Sequence, residues 1–314
     1  MYTKRKTSKE NASTLFRRYL WLVELLIRKK GATFKEINEA WANHSTLNPD
    51  GNEIVRRTFH NHRIAIEEMF DINIVCDRSN GYIYHIEDEL SEERNKTRAW
   101  MLNNLVVNNL LSEYNDLQEH ILLEDIPSGQ SHLLPIMDAI RSRQQLAMSY
   151  HGYWKPNAQT LTAEPYCLKL FRQRWYLLAL NHDISEFRIY SLDRIQSLKP
   201  LNEQYTIPAD FDTEAYFCDY MGVIADHDED VQTIKIRVYN EQSSYFKSLP
   251  LHHSQKTIKE TDNFVDFSYY ITPTHDFWQA LLQYGHKLEI LEPQWLRDEF
   301  LYIAQKMMKR YKDK

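Results

Sequence analysis

The sequence predicts a multidomain α+β chain: an N-terminal winged helix-turn-helix, a central small β-barrel and a C-terminal ferredoxin-like α/β domain. Three observations carry that prediction. The first ninety residues hold three stretches of helical apolar spacing followed by a strand-turn-strand pattern. Residues 144–200 hold five or six short β-rich runs. Residues 231–314 alternate strand and helix patterns in the order βαββαβα. The expected segments are 1–90, a helical linker 91–143, the barrel 144–200, a second linker 201–230, and the C-terminal domain 231–314.

Length and composition set the bounds. A chain of 314 residues with 43% hydrophobic residues suggests two or three domains with ample core material. There is no run of 18 apolar residues, and the polar start MYTKRKTSKENAS has no apolar stretch behind its basic residues, so neither a membrane span nor a signal peptide is expected. The expected location is the cytoplasm. Three widely spaced cysteines, Cys76, Cys167 and Cys218, fit neither a disulfide framework nor paired metal ligands. The net charge of −6 is unevenly spread. Residues 1–86 hold 14 Lys and Arg against 10 Asp and Glu, and the remainder holds 24 against 34. A basic module on an acidic body suits contact with a polyanion.

In the first ninety residues, Leu15 to Arg28 places Leu15, Tyr19, Leu22, Val23, Leu26 and Ile27 on one helical face, and Lys29-Lys30-Gly31 ends that helix. Thr33 with Glu36 forms a capping-box pattern, and Phe34, Ile37 and Trp41 supply the buried side of a second helix ending near Asn43. Asn48-Pro49-Asp50-Gly51 is a turn. Helical spacing resumes from Ile54 to Phe70 through Ile54, Phe59, Ile64, Ala65 and Met69. Ile72–Cys76 and Tyr82–Ile86, joined by Asp77-Arg78-Ser79-Asn80-Gly81, read as a hairpin, the wing. Glu53, Arg56, Arg57, His60, Asn61 and Arg63 lie off the apolar stripe of the third helix. Arginine and asparagine make bidentate contacts to guanine and adenine edges in the major groove. Arg56, Arg57, His60, Asn61 and Arg63 are therefore candidate DNA-binding residues, with Arg78 of the wing and Arg17, Arg18, Lys29 and Lys30 meeting phosphates. The bland alternative for these charges is a solvated helix face.

Asp88 to Arg98 reads as a charged hinge, and Ala99 to Leu122 as a long helix suited either to a spacer or dimer contact or to plain packing. Leu133 to Arg143 is a shorter helix. The barrel strands are expected at Gln145–Tyr150, Gln159–Pro165, Tyr166–Phe171, Arg174–Leu180, Phe187–Leu192 and Ile195–Pro200. Trp175 is most simply a core residue. Arg188 and Arg194 share parity, so an unbent strand would set them on one face about 20 Å apart at ~3.3 Å per residue, and a bend would let them converge.

Arg174-Trp175-Tyr176-Leu177, followed by Phe187-Arg188-Ile189-Tyr190-Ser191-Leu192-Asp193-Arg194-Ile195, resembles the WYL domain, an Sm-like β-barrel named for its Trp-Tyr-Leu triplet and found mostly in bacterial transcriptional regulators. The resemblance implies a winged helix-turn-helix before the barrel and a mixed α/β extension after it. It also implies an effector patch of aromatic and basic residues, matched here by Tyr150, Tyr176, Arg188 and Arg194, with His182 a weaker candidate. Paired arginines suit phosphate and tyrosines can stack on bases. The alternative for the arginines is a salt bridge to Asp193, Asp183 or Glu186. The chain departs from the family pattern at Arg172-Gln173, where glycine is usual, and lacks an arginine between Lys155 and Pro165.

The second linker carries Pro208-Ala209-Asp210-Phe211-Asp212 and the acidic run Asp226–Asp230. The βαββαβα pattern follows, with strands at Gln232–Tyr239, Gln255–Glu260, Phe264–Ile271 and Lys287–Leu291, helices at Glu241–Ser248 and Asp276–Gln283, and a last helix opened by Pro293. Leu288 to Arg297 resembles the extension that accompanies WYL domains. No glycine-rich phosphate loop, GxSxG elbow or HExxH occurs, and His252-His253 are adjacent and make a poor chelate, so no enzyme chemistry, metal or cofactor is expected. The resemblance implies a DNA-binding transcriptional regulator. Its WYL barrel would sense an anionic effector, a nucleotide or single-stranded nucleic acid, and modulate binding to a double-stranded DNA operator. A homodimer reading two half-sites is expected. The other reading is a nucleic-acid-sensing accessory protein of a phage-defence system, with no promoter of its own to regulate.

Overall fold

The apolar spacing of the first seventy residues is realised as three helices, α1 (Ala12–Lys29), α2 (Phe34–Ala42) and α3 (Arg56–Phe70). In this computed structural model residues 12–87, 100–105, 107, 120, 122, 124, 127–225 and 229–312 are described. The chain is a mixed α+β protein with several antiparallel sheets, and it divides into two compact units, residues 1–124 and 125–314. The expected hinge Asp88–Arg98, most of the expected helix Ala99–Leu122 and residues 226–228 of the acidic run lie outside the described residues.

In the first unit, α1 buries the expected Tyr19, Leu22, Val23 and Leu26, but also Leu20, Trp21 and Leu25, while Ile27, expected on the same face, is exposed in the last turn. It ends where Lys30 and Gly31 take positive φ, and a Cβ on Gly31 would lie 2.8 Å from Ile83 Cγ2, so only glycine fits. The capping box of α2 is complete: Glu36 N–H donates to Thr33 Oγ1 (3.3 Å) and Thr33 N–H to Glu36 Oε2 (2.8 Å). The turn to α3 is stapled by the buried Asn48, whose Nδ2 donates to Trp41 O and Asn52 O, both at 2.9 Å. Strands β2 (Ile74–Asp77) and β3 (Ile83–Ile86) form the expected hairpin. Ala32–Thr33, β1, adds a third strand in the order β1-β3-β2 that local pattern did not reveal.

The stripe read on α3 needs correction. Phe59, His62 and Ile66 face the core, while Ile64 and Met69 are exposed. His62 is the reason: its ring is buried edge-on against Tyr19 at 5.3 Å and serves as an inward position, shifting the buried arc by part of a turn.

The second unit opens with α4 (Leu133–Ser142), expected in the linker. Its Ile136 and Ala139 are completely buried among Leu146, Met148, Ala163 and Leu177, so it belongs to the core of the sheet that follows. That sheet comprises β4 (Gln144–Tyr150), β5 (Gln159–Phe171), β6 (Arg174–Asn181), β7 (Glu186–Ser191) and β8 (Ile195–Gln204), in the order β7-β6-β5-β4-β8, with all the pairings antiparallel. The two strands expected at 159–165 and 166–171 are one, with a register shift between Pro165 and Cys167 that tolerates a proline lacking its N–H. Ser191 N–H donates to Tyr150 Oη (3.4 Å), although β4 and β7 are separated by β5 and β6. A flat sheet would set those backbones about 14 Å apart, so this one is coiled toward closure. Arg172 and Gln173 both take positive φ (47° and 64°), which the two-residue turn requires even without glycine.

The stretch after β8, expected as a solvated linker, is packed instead. Tyr205, Ile207, Phe211, Tyr216 and Phe217 cover the sheet's outer face at Tyr166, Leu178, Leu180 and Phe187, with a short helix α5 (Thr213–Cys218) capped by Asp212. The C-terminal elements follow the expected order: β9 (Gln232–Tyr239), α6 (Gln242–Ser248), β10 (Lys256–Glu260), β11 (Phe264–Ile271), α7 (His275–Leu282), β12 (Leu288–Glu292) and α8 (Gln294–Lys312). The sheet order is β10-β11-β9-β12, and Ile234, Ile236 and Val238 fill its core face.

Candidate nucleic-acid interface and anion site

The N-terminal half of α3 offers an open polar face. Arg56, Arg57, His60 and Asn61 are all exposed, and positions 57, 60, 61 and 64 recur at helical spacing so that Ile64 extends the same face. Arg56 lies over the Phe34 ring at 4.6 Å, which steadies its guanidinium near the helix start. Arg63 sits apart. It is half-buried, donates from a terminal nitrogen to Ile74 O, and lies 5.3 Å from the Tyr84 ring, tying α3 to the hairpin. Arg78 is exposed in the hairpin turn, whose shape is held by Asp77 Oδ1 accepting from Ser79 and Asn80 N–H at 2.9 and 3.2 Å. Those bonds hold the Asp77 carboxyl below its ordinary range, led by the Ser79 hydroxyl.

In the second unit the turn Leu192–Arg194 between β7 and β8 gathers a cationic, aromatic cluster. Arg194 lies over the Tyr153 ring at 4.1 Å, and its buried Nε has no hydrogen-bond partner among the described residues. Arg174 pairs with Asp193 at 3.5 Å and also bonds Tyr153, the latter being the main cause that raises its pKa. Burial pushes the Tyr150 and Tyr176 hydroxyls up, and the Arg194 charge opposes the rise at both, so these two tyrosines and Arg194 share one neighbourhood. One carboxylate against two guanidiniums leaves the cluster net cationic. A guanidinium with a free Nε, beside a second arginine and tyrosines, forms a fitting cradle for a phosphate with a base attached.

Arg188 and His182 are placed elsewhere. Arg188 pairs with Glu186, and its strand register is opposite Ala179, whereas Ser191 is opposite Tyr176. His182 is exposed just past the far end of β6, about 26 Å from Arg174 at ~3.3 Å per residue. Arg174, Tyr153 and the neighbouring Trp154 were missed in the sequence. Their signals were an arginine immediately before the Trp-Tyr-Leu triplet and two adjacent aromatics in a short polar loop.

Below the outer face, Lys169 stacks on Phe217 at 3.8 Å, and burial lowers its pKa to about 8. Asp276, whose charge partly offsets that fall, accepts from Val223 and Ile224 N–H at 2.8 and 2.9 Å and so ties α7 to the segment after α5. His252 uses both ring nitrogens within the protein, with Cys218 O (2.8 Å) and Ser254 Oγ (2.7 Å). Neither nitrogen is left for a ligand.

Comparison with known proteins adds the family. Residues 131–200 match the WYL domain and residues 230–308 the WCX domain. No curated protein matches. Among solved structures, the proteasome accessory factor B/C (PafBC) of Arthrobacter aurescens is similar at 16% identity over 92% of this chain, with a TM-score of 0.33; the chain spans 45% of that protein's length. A crystal structure of a CRISPR Cas-related protein is similar at 12% identity, over 98% of this chain and 88% of the other, with a TM-score of 0.39. The WYL match starts at α4, in keeping with that helix's burial in the same core, and the WCX match spans the four-stranded sheet and most of α8. The chain therefore carries a WYL domain over residues 131–200 and a WCX domain over residues 230–308.

Proposed function

We propose that this protein is a DNA-binding transcriptional regulator whose WYL domain senses an anionic effector and thereby modulates operator binding. The observation that carries the reading is the exposed face of α3, where Arg57, His60 and Asn61 stand free of the core beside a hairpin bearing Arg78. In this reading the first unit is a winged helix-turn-helix. Its α3 enters the major groove, Arg56, Arg57, His60 and Asn61 read bases, and Arg78 meets a phosphate. Arg63 serves to hold the hairpin. The coiled five-stranded sheet with α4 is an Sm-like barrel, and Tyr150, Tyr176, Arg174 and Arg194 form its effector site, for a nucleotide or single-stranded nucleic acid. The WCX domain is a ferredoxin-like fold.

The regulator acts as a homodimer, which lets two winged helices read paired half-sites. The surface that supports this is α8. Leu301, Met307, Met308 and Tyr311 are exposed on it, and a groove of 640 Å³ runs between it and β12, lined by Leu288, Ile290, Phe300 and Leu301 among others. The test is a gel-shift screen of the full chain against duplex fragments of the DNA upstream of its own gene. A regulator selects one discrete fragment, and the Arg57→Ala variant loses that selection. Equal, purely salt-sensitive retention of all fragments refutes it.

A further inference from the structure

The loop between β4 and β5 presents two adjacent aromatic side chains to the surface. Trp154 is 95% exposed and Tyr153 is 68% exposed. Single exposed apolar residues are common on protein surfaces, but these are adjacent and held in place. His151 N–H donates to Arg194 O (3.1 Å), the His151 ring bonds Lys155 O (3.1 Å), and Lys155 N–H returns to Gly152 O (3.1 Å). The loop is thus closed on itself and pinned to the turn that carries Arg194. Tyr153 is engaged on one face by that guanidinium and at its hydroxyl by Arg174. Trp154 next to it makes no ring contact among the described residues and leaves its indole open.

We propose that Trp154 is the base-stacking residue of the WYL site. Arg174 and Arg194 hold a phosphate, Trp154 receives a neighbouring nucleobase, and the ligand is a single-stranded nucleic acid. This rests on the effector-sensing reading above and commits it to one ligand class. The chemistry supports the commitment. A guanidinium pair alone accepts any phosphate or carboxylate, whereas a large π-face beside it adds favourable energy only when the anion carries a ring. In a duplex the base faces are already stacked and closed to the indole, which favours a single strand.

The test uses the full-length protein and fluorescence anisotropy with two labelled strands of equal length, oligothymidine and the corresponding abasic strand, which have the same phosphates but differ in bases. Wild type binds oligothymidine more tightly than the abasic strand. Trp154→Ala weakens oligothymidine binding at least about fivefold and leaves abasic binding unchanged, as the loss of one stacked base dictates. Trp154→Phe keeps part of the preference. Because Trp154 is almost fully exposed, the alanine variant folds as wild type does, which circular dichroism checks. If Trp154→Ala binds oligothymidine as tightly as wild type, the stacking assignment is overturned while the effector site stands. If wild type binds neither strand, the single-stranded ligand class falls and the stacking proposal falls with it.

Discussion

Gly129 offers a direct way to couple the fold to the anion site. It sits at φ +66° at the head of the short turn Gln130–His132, packed against the turn that carries Asp193 and Arg194. A Cβ added there would lie 2.4 Å from the carbonyl carbon of Leu192 and 2.5 Å from Asp193 N. These are backbone atoms and cannot swing aside. Gly129→Ala should therefore incur the left-handed backbone penalty of about 1–2 kcal/mol. Forcing an atom into a packed site adds about 1–3 kcal/mol. The combined loss of roughly 2–5 kcal/mol is a large share of the ~5–15 kcal/mol typical of a domain. The assay is urea denaturation followed by tryptophan fluorescence. Gly152→Ala is the control, since its Cβ would meet only Lys155 Cγ at 3.8 Å and Tyr150 Cε1 at 4.0 Å without positive φ. Stability of Gly129→Ala within about 0.5 kcal/mol of wild type, the range of an inconsequential surface change, would refute the reasoning. Any residual folded Gly129→Ala should bind oligothymidine more weakly, because relief of the clash displaces Asp193 and Arg194.

Three further outcomes are expected. Arg57→Ala should weaken specific duplex binding by about 1–3 kcal/mol, whereas Arg63→Ala should lower the thermal midpoint by loosening the hairpin; equal effects of both on either readout would dissolve the distinction drawn between them. Arg194→Ala should abolish any effect of single-stranded nucleic acid on operator affinity while Arg188→Ala, whose ion pair with Glu186 is exposed, leaves it in place; titration calorimetry on each variant decides. The pH profile should expose Lys169. Its folded pKa is depressed from 10.5 to about 8, so the unfolded chain binds more protons above that pH and stability rises as pH increases from about 8. Cys167 acts in the opposite sense from about pH 9, because burial raises its thiol from 9.0 to about 11. Lys169 therefore begins to act at a lower pH than Cys167, and Lys169→Met should flatten the rise in stability that starts near pH 8.

Features set by near neighbours in the chain are legible in the sequence. The capping box at Thr33 and Glu36, the hairpin turn around Asp77, and the alternation of Ile234, Ile236 and Val238 are all decided by residues within a few positions of each other. The α3 stripe was misjudged because a histidine, nominally polar, fills an inward position only when Tyr19 is there to meet it. The linker after β8 was misjudged because its acidic run masked the aromatics Phe211, Tyr216 and Phe217, which cover the sheet.

The candidate site divides in the same way. Sequence by itself determined the residue types available for it, since a motif running from Arg174 through Ile195 concentrates arginine and tyrosine on two neighbouring strands. It also determined which face of strand β9 is apolar. Tertiary structure alone decided which of those residues meet. Register pairs Arg188 with Ala179 and leaves it to Glu186. Coiling of the sheet brings Tyr150 from β4 to Ser191, and a loop pinned at Arg194 O sets Tyr153 beneath that guanidinium. The physical reason is that a strand's own pattern specifies only which side each residue faces, whereas curvature and register come from partners distant in the chain.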